Sequence, residues 1–88
     1  MNINKKPTFF KNIKKISNSF LNGRIEQAVL SVQNAQSPKD IPNLKKMKGY
    51  KIHYRIKIGR YRIGIEIVGD TVTFTAFGPR NNFYNFFP

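Results

Sequence analysis

The sequence predicts an α+β fold of two layers, an N-terminal helical hairpin packed on an antiparallel sheet of three to four strands. Residues 54–67 alternate apolar and polar side chains on both sides of Gly59-Arg60, which reads as two antiparallel strands joined by a two-residue loop. After a second tight turn at Gly69-Asp70, Val72, Phe74 and Ala76 alternate with Thr71, Thr73 and Thr75, adding a third strand. Before the strands, apolar residues recur at helical spacing, and nothing else in the chain can cover the apolar sheet face.

Residues 1–7 are polar with one proline and form a loose N-terminal arm or at best a short edge strand. Thr8 caps a helix beginning at Phe9, whose apolar stripe is Phe9, Ile13, Ile16 and Phe20. Ser17-Asn18-Ser19 and Asn22-Gly23 supply a tight connection to a second helix with Ile25, Ala28, Val29 and Val32 on one face. Two prolines within residues 37–42 make a loop. Leu44 and Met47, three apart among lysines, predict a single turn that pins this loop before Gly49 releases the chain into the first strand.

If Gly59 supplies the positive φ of a II′ turn, Ile58 lies opposite Tyr61 and the register of the hairpin follows. Tyr54, Ile56, Ile58, Tyr61, Ile63 and Ile65 then face the core. The other face carries His53, Arg55, Lys57, Arg62, Gly64 and Glu66, and it is expected to stay open to solvent. Lys57 sits across from Arg62 with Arg55 two positions along, an arrangement of like charges that calls for a counter-charge such as phosphate. Gly64 leaves an open floor between the cations where a ligand backbone could approach. His53 faces Glu66, which reads as a structural pair, with catalysis by His53 the lesser reading. Continuing the register puts Phe77 beside Arg62, and Gly78-Pro79-Arg80 leaves the sheet at the same edge. The aromatic tail, residues 81–88, either folds back on the sheet or waits for a partner.

With 88 residues the chain makes one domain, residues 1–88, with one modest core. Sixteen Lys and Arg against four acids give a net charge of +12, which points to a polyanion or an acidic protein partner. Lys45, Lys46, Lys48, Lys51, Arg55, Lys57, Arg60 and Arg62 are half of all the basic residues, and no acid falls between Asp40 and Glu66. The charge is therefore concentrated near the hairpin. The absence of Cys removes disulfide and thiolate-metal chemistry and fits a reducing compartment. One His and four scattered acids are too few for a protein-only metal cage, so no metal and no cofactor is expected. The apolar runs are far short of a membrane span, and the reading is a cytoplasmic protein with no membrane partner.

The run Leu44-Lys-Lys-Met-Lys-Gly-Tyr-Lys-Ile-His-Tyr-Arg-Ile-Lys-Ile-Gly-Arg-Tyr-Arg-Ile63, followed later by Phe77-Gly-Pro-Arg-Asn-Asn-Phe-Tyr84, resembles the RelE/ParE superfamily of type II toxin-antitoxin toxins, over about residues 8–84. The resemblance implies a RelE-like microbial RNase fold. It places the family's basic residues at Arg55 and Lys57 on one strand, Arg62 on the next, Arg80 after the last strand, and the aromatic beyond it at Tyr84. That favours the RelE-like branch, a ribosome-dependent mRNA endoribonuclease, over a ParE-like gyrase poison, which needs no such row. A non-catalytic or decayed RNA-binding member is the third reading. Arg stands at 55 where a Lys is common, and the C-terminal helix of some members is missing.

Metal-independent cleavage of RNA requires the 2′-OH to attack the adjacent phosphorus, with proton transfer and cations for the developing charge. On this reading Arg55, Arg62 and Arg80 bind phosphates, because guanidinium forks suit phosphate. Lys57, set among those arginines, is the proton-transfer lysine on this reading. Tyr84 stacks on or orients a base. Arg60, Lys45, Lys46, Lys48 and Lys51 add sequence-blind attraction to mRNA in the ribosomal A site and to rRNA. The protein partner implied is a cognate acidic antitoxin.

Overall fold

The computed structural model describes residues 1–16 and 18–88. In chain order it contains β1 (Asn2–Lys5), α1 (Pro7–Ile16), α2 (Ser19–Asn34), a 3-10 turn (Pro38–Asp40), β2 (Leu44–Lys46), β3 (His53–Ile58), β4 (Tyr61–Val68), β5 (Thr71–Pro79) and α3 (Arg80–Phe83). The strands form one five-stranded sheet in the order β1-β5-β4-β3-β2. The expected meander is its centre. β1 pairs parallel with β5, and β2 pairs antiparallel with β3.

Two short edges are thus strands where the sequence left an arm and predicted a turn. β1 is the edge-strand alternative for residues 1–7. At β2 the expected single turn around Leu44 gives way to extended pairing, because Leu44 opposite Ile56 reaches the core from a strand. Lys45 opposite Arg55 then joins the basic face, whereas Lys46 opposite Tyr54 points to the other side.

The helices begin earlier than the sequence suggested. Pro7 takes the first position of α1, where its missing N–H costs nothing, so Thr8 is not the cap. Asn18 caps α2, its side chain accepting from the Leu21 N–H at 2.8 Å, and Asn22-Gly23 continues the helix instead of breaking it. Phe20 consequently belongs to α2 and is exposed, not part of the α1 stripe. Ser17, part of the expected connection, lies outside the described residues. Phe9 from α1 and Leu21, Ile25 and Val32 from α2 pack with Ile56, Ile58, Ile63, Ile65, Phe74 and Phe77 into the main core.

The hairpin register agrees with the sequence reading at every pair from Ile58↔Tyr61 to His53↔Glu66. Gly59 takes φ 55° and Arg60 does not share it, as a II′ turn requires. On β5 the register differs. A bulge between Gly64 and Ile65 leaves Thr75 as an extra residue, so Ala76 lies opposite Gly64, Phe77 opposite Ile63 and Gly78 opposite Arg62. Phe77 is therefore in the core, stacked on Tyr61 at 5.4 Å and 10°, and not beside Arg62.

α1 explains the bulge. Where β1 ends, α1 takes over the edge of β5. The Thr8 hydroxyl donates to the Thr75 carbonyl at 2.6 Å, and the Asn12 side-chain oxygen accepts the Phe77 N–H at 3.0 Å. Residues four apart share one helix face, so this pair satisfies backbone groups that the interrupted ladder would leave unpaired. The Thr75 hydroxyl, itself buried, closes the arrangement by donating to the Gly64 carbonyl at 3.0 Å.

Candidate functional site

The bulge sets what the solvent-facing side of the sheet can hold. Gly64, Ala76 and Gly78 give it a smooth strip, and the C-terminal tail lies along that strip. Phe83, Phe87 and Ala76 form a second small core with Met47 against it. A Cβ on Gly64 would stand 2.6 Å from the Phe87 ring, and one on Gly78 would stand 2.9 Å from the Phe86 ring. The tail thus folds back, as one of its two expected fates, and two expectations are corrected. The floor at Gly64 is filled by Phe87, not open to a ligand backbone, and the polar face is only partly open to solvent. Both follow from burying apolar rings on a strip made of two glycines and an alanine.

What remains open is the hairpin end of the face. Lys57, Arg60, Arg62 and Arg80, with Tyr61 and Asn81, line a single depression there, and none of the residues lining it is acidic. Lys57 comes from β3 and lies directly across from Arg62 of β4. Arg80 is brought in by a backbone bond from its N–H to the Arg60 carbonyl at 2.8 Å, which ties the start of α3 to the hairpin turn. Lys57, Arg60 and Arg80 are exposed, whereas Arg62 is 6% exposed. Its Nη1 donates to the Gly59 and Tyr61 carbonyls, both at 2.9 Å, while its buried Nε has no acceptor among the described residues.

Arg55 is not part of this depression. Its Nη1 donates at 2.8 Å to the carbonyl of Asn43, a residue held at φ 62° just before β2. Tyr84 caps α3 with its ring edge-to-face on Phe83 at 5.1 Å and is 47% exposed. His53 makes the expected pair with Glu66, Nε2 to Oε2 at 3.7 Å, and Lys6 reaches the same oxygen at 3.3 Å. Lys45, Lys46, Lys48 and Lys51 are exposed on and after β2. Among the described residues, no three His, Cys, Asp or Glu side chains come together to hold a metal ion. No described helix is long and apolar enough to cross a membrane.

One cation was not foreseen. Arg24 of α2 reaches the hairpin turn, its Nη1 lying 3.0 Å from where a Cβ on Gly59 would be, and it shares a second hollow with Lys57 on the helix side. Nothing local in the sequence marks it, since the contact joins residues far apart in the chain.

The fold is a two-layer sandwich whose sheet face gathers arginines and a lysine at one hairpin. No family model matches the chain. It is 40% identical over 82 residues to Toxin RelE3 of Methanocaldococcus jannaschii, covering 92% of each protein. The toxin fold in the RelB-RelE antitoxin-toxin complex from Methanococcus jannaschii superposes with a TM-score of 0.80 at 36% identity, covering 97% of this chain and 99% of that one. The intact RelBE toxin-antitoxin complex from E. coli gives 0.69 at 17% identity, covering 89% and 94%, a likeness of fold alone. The chain belongs to the RelE toxins.

Proposed function

We propose that this toxin is a cytoplasmic endoribonuclease that blocks translation by cutting mRNA in the ribosomal A site, without a metal, through attack of the 2′-OH on the adjacent phosphorus. The observation that carries the reading is the acid-free depression lined by Lys57, Arg60, Arg62 and Arg80, with the buried Arg62 Nε short of an acceptor. A buried donor is costly until an anion arrives, and a phosphate oxygen supplies one. Arg62 and Arg80 hold the scissile phosphate and stabilise the charge of the phosphorane. Arg55 takes a flanking phosphate with the part of its guanidinium that Asn43 leaves free. Lys57 moves the proton, and Tyr84 orients a base. Lys45, Lys46, Lys48 and Lys51 attract rRNA and mRNA without reading sequence.

The partner that restrains the toxin is an acidic antitoxin, which covers the basic face or displaces the tail. Support comes from the net charge of +12 and from the similar Methanococcus jannaschii protein found in complex with RelB. Primer extension on a reporter mRNA, with and without ribosomes, tests the activity. Cuts at fixed positions within codons, dependent on ribosomes and lost in Arg80→Ala, are expected. Growth arrest with no cuts, and a loss of supercoiling by gyrase instead, would replace this reading.

A further inference from the structure

At the opposite end from the hairpin depression, the turn between β2 and β3 exposes an aromatic that none of the roles above uses. Tyr50 is 46% exposed in the turn between β2 and β3, flanked in sequence by Lys48, Gly49 and Lys51. The turn is built, not slack. The Met47 N–H donates to the His53 carbonyl at 2.8 Å and the Tyr50 N–H to the Met47 carbonyl at 3.2 Å, with Gly49 at φ 85°. The Tyr50 ring packs edge-to-face on His53 at 5.4 Å and 71°, and His53 packs edge-to-face on Phe87 at 5.7 Å and 64°. Phe87 continues to Phe83 at 5.1 Å and Phe83 to Tyr84 at 5.1 Å. A file of five rings therefore crosses the sheet face, with Phe83 and Phe87 buried, His53 partly covered and the two ends, Tyr50 and Tyr84, each about half exposed.

We propose that Tyr50 is a second base-stacking position for single-stranded RNA, so that the strand lies along the face from the hairpin depression to the β2–β3 turn. This rests on the RNA-binding part of the function proposed above and not on cleavage. Cations alone would serve for a duplex backbone; an exposed ring held among lysines adds a surface that only an unpaired base can use. Lys48 and Lys51 attract the phosphates around that base. The spacing fits. From His53 to Lys57 is four residues of extended strand, about 13 Å, or about four stacked nucleotides.

The test is fluorescence anisotropy of the whole toxin with a labelled octa-adenylate and with an abasic ribose-phosphate octamer of equal charge. Tyr50→Ala should weaken binding of the octa-adenylate by at least about fivefold and leave the abasic octamer unchanged. Tyr50→Phe should bind both as wild type does. Lys48→Ala with Lys51→Ala should weaken both oligomers alike. Equal losses on the two oligomers in Tyr50→Ala would reduce Tyr50 to a prop for the turn and overturn the proposal. Wild-type-like binding in Tyr50→Ala, or no binding of the octa-adenylate by wild type, overturns it as well. Because the assay reads binding alone, a toxin that stacks RNA on Tyr50 yet makes no ribosome-dependent cuts would refute the endonuclease and keep this site.

Discussion

Lys57 and Arg62 face each other across the hairpin, yet they are held in opposite ways, and their substitutions should separate chemistry from stability. Lys57 is exposed and is not needed by the core. Lys57→Met should therefore unfold within about 0.5 kcal/mol of wild type while cleavage falls by about two to four orders of magnitude, the usual worth of a proton-transfer group. Arg62 is buried and spends Nη1 on two carbonyls of its own turn. Arg62→Ala should lose cleavage and also about 1–3 kcal/mol of stability, since the Gly59 and Tyr61 carbonyls lose their partner. Denaturant unfolding beside single-turnover cleavage reads both quantities. A wild-type midpoint for Arg62→Ala would mean that the guanidinium does not brace the turn, and full activity in Lys57→Met would remove Lys57 from the chemistry.

The tail and the strip it covers stand or fall together as an element. Gly64→Ala adds a methyl that would lie 2.6 Å from the Phe87 ring, over a backbone that cannot yield. The ring must leave its seat. The variant should lose about 1–3 kcal/mol and expose the tail, seen as faster cleavage by protease after residue 80 than in wild type. Unchanged proteolysis and melting would show that the seat does not hold the tail. The hairpin beside this strip was legible to the last pair because its register is set locally, by Gly59 and by strict alternation from Tyr54 to Ile67. The strip itself was not legible. The bulge at Thr75 depends on Thr8 and Asn12, more than 60 positions away, and no pattern within β5 announces it. β1 and β2, of four and three residues, are too short for alternation to declare them, and they exist because a longer neighbour offers an edge. The candidate site divides on the same line. Lys57 and Arg62 are brought together by the hairpin and could be paired from sequence, whereas Arg24 and the seat of Phe87 are products of packing.

Across the whole molecule, the question is whether the +12 charge acts as a diffuse cloud or through the hairpin depression. Only four cations line that depression, and its lining contains no acid to cancel them. For a single-stranded RNA short enough to contact the depression alone, about four counterions are released on binding. The logarithm of the binding constant should then fall against the logarithm of salt with a slope near −3. Each lining cation removed should flatten that slope by about 0.7. Arg80→Ala should do so without disturbing the core, because its side chain is exposed and the tie to Arg60 runs through the backbone N–H. Lys39→Ala, on the exposed 3-10 turn, should leave the slope alone. A diffuse attraction makes a different prediction, since every cation then contributes in proportion to its exposure. Equal flattening by Arg80→Ala and Lys39→Ala, or a wild-type slope several units steeper than −3, would show that charge spread over the whole surface, and not the depression, governs affinity.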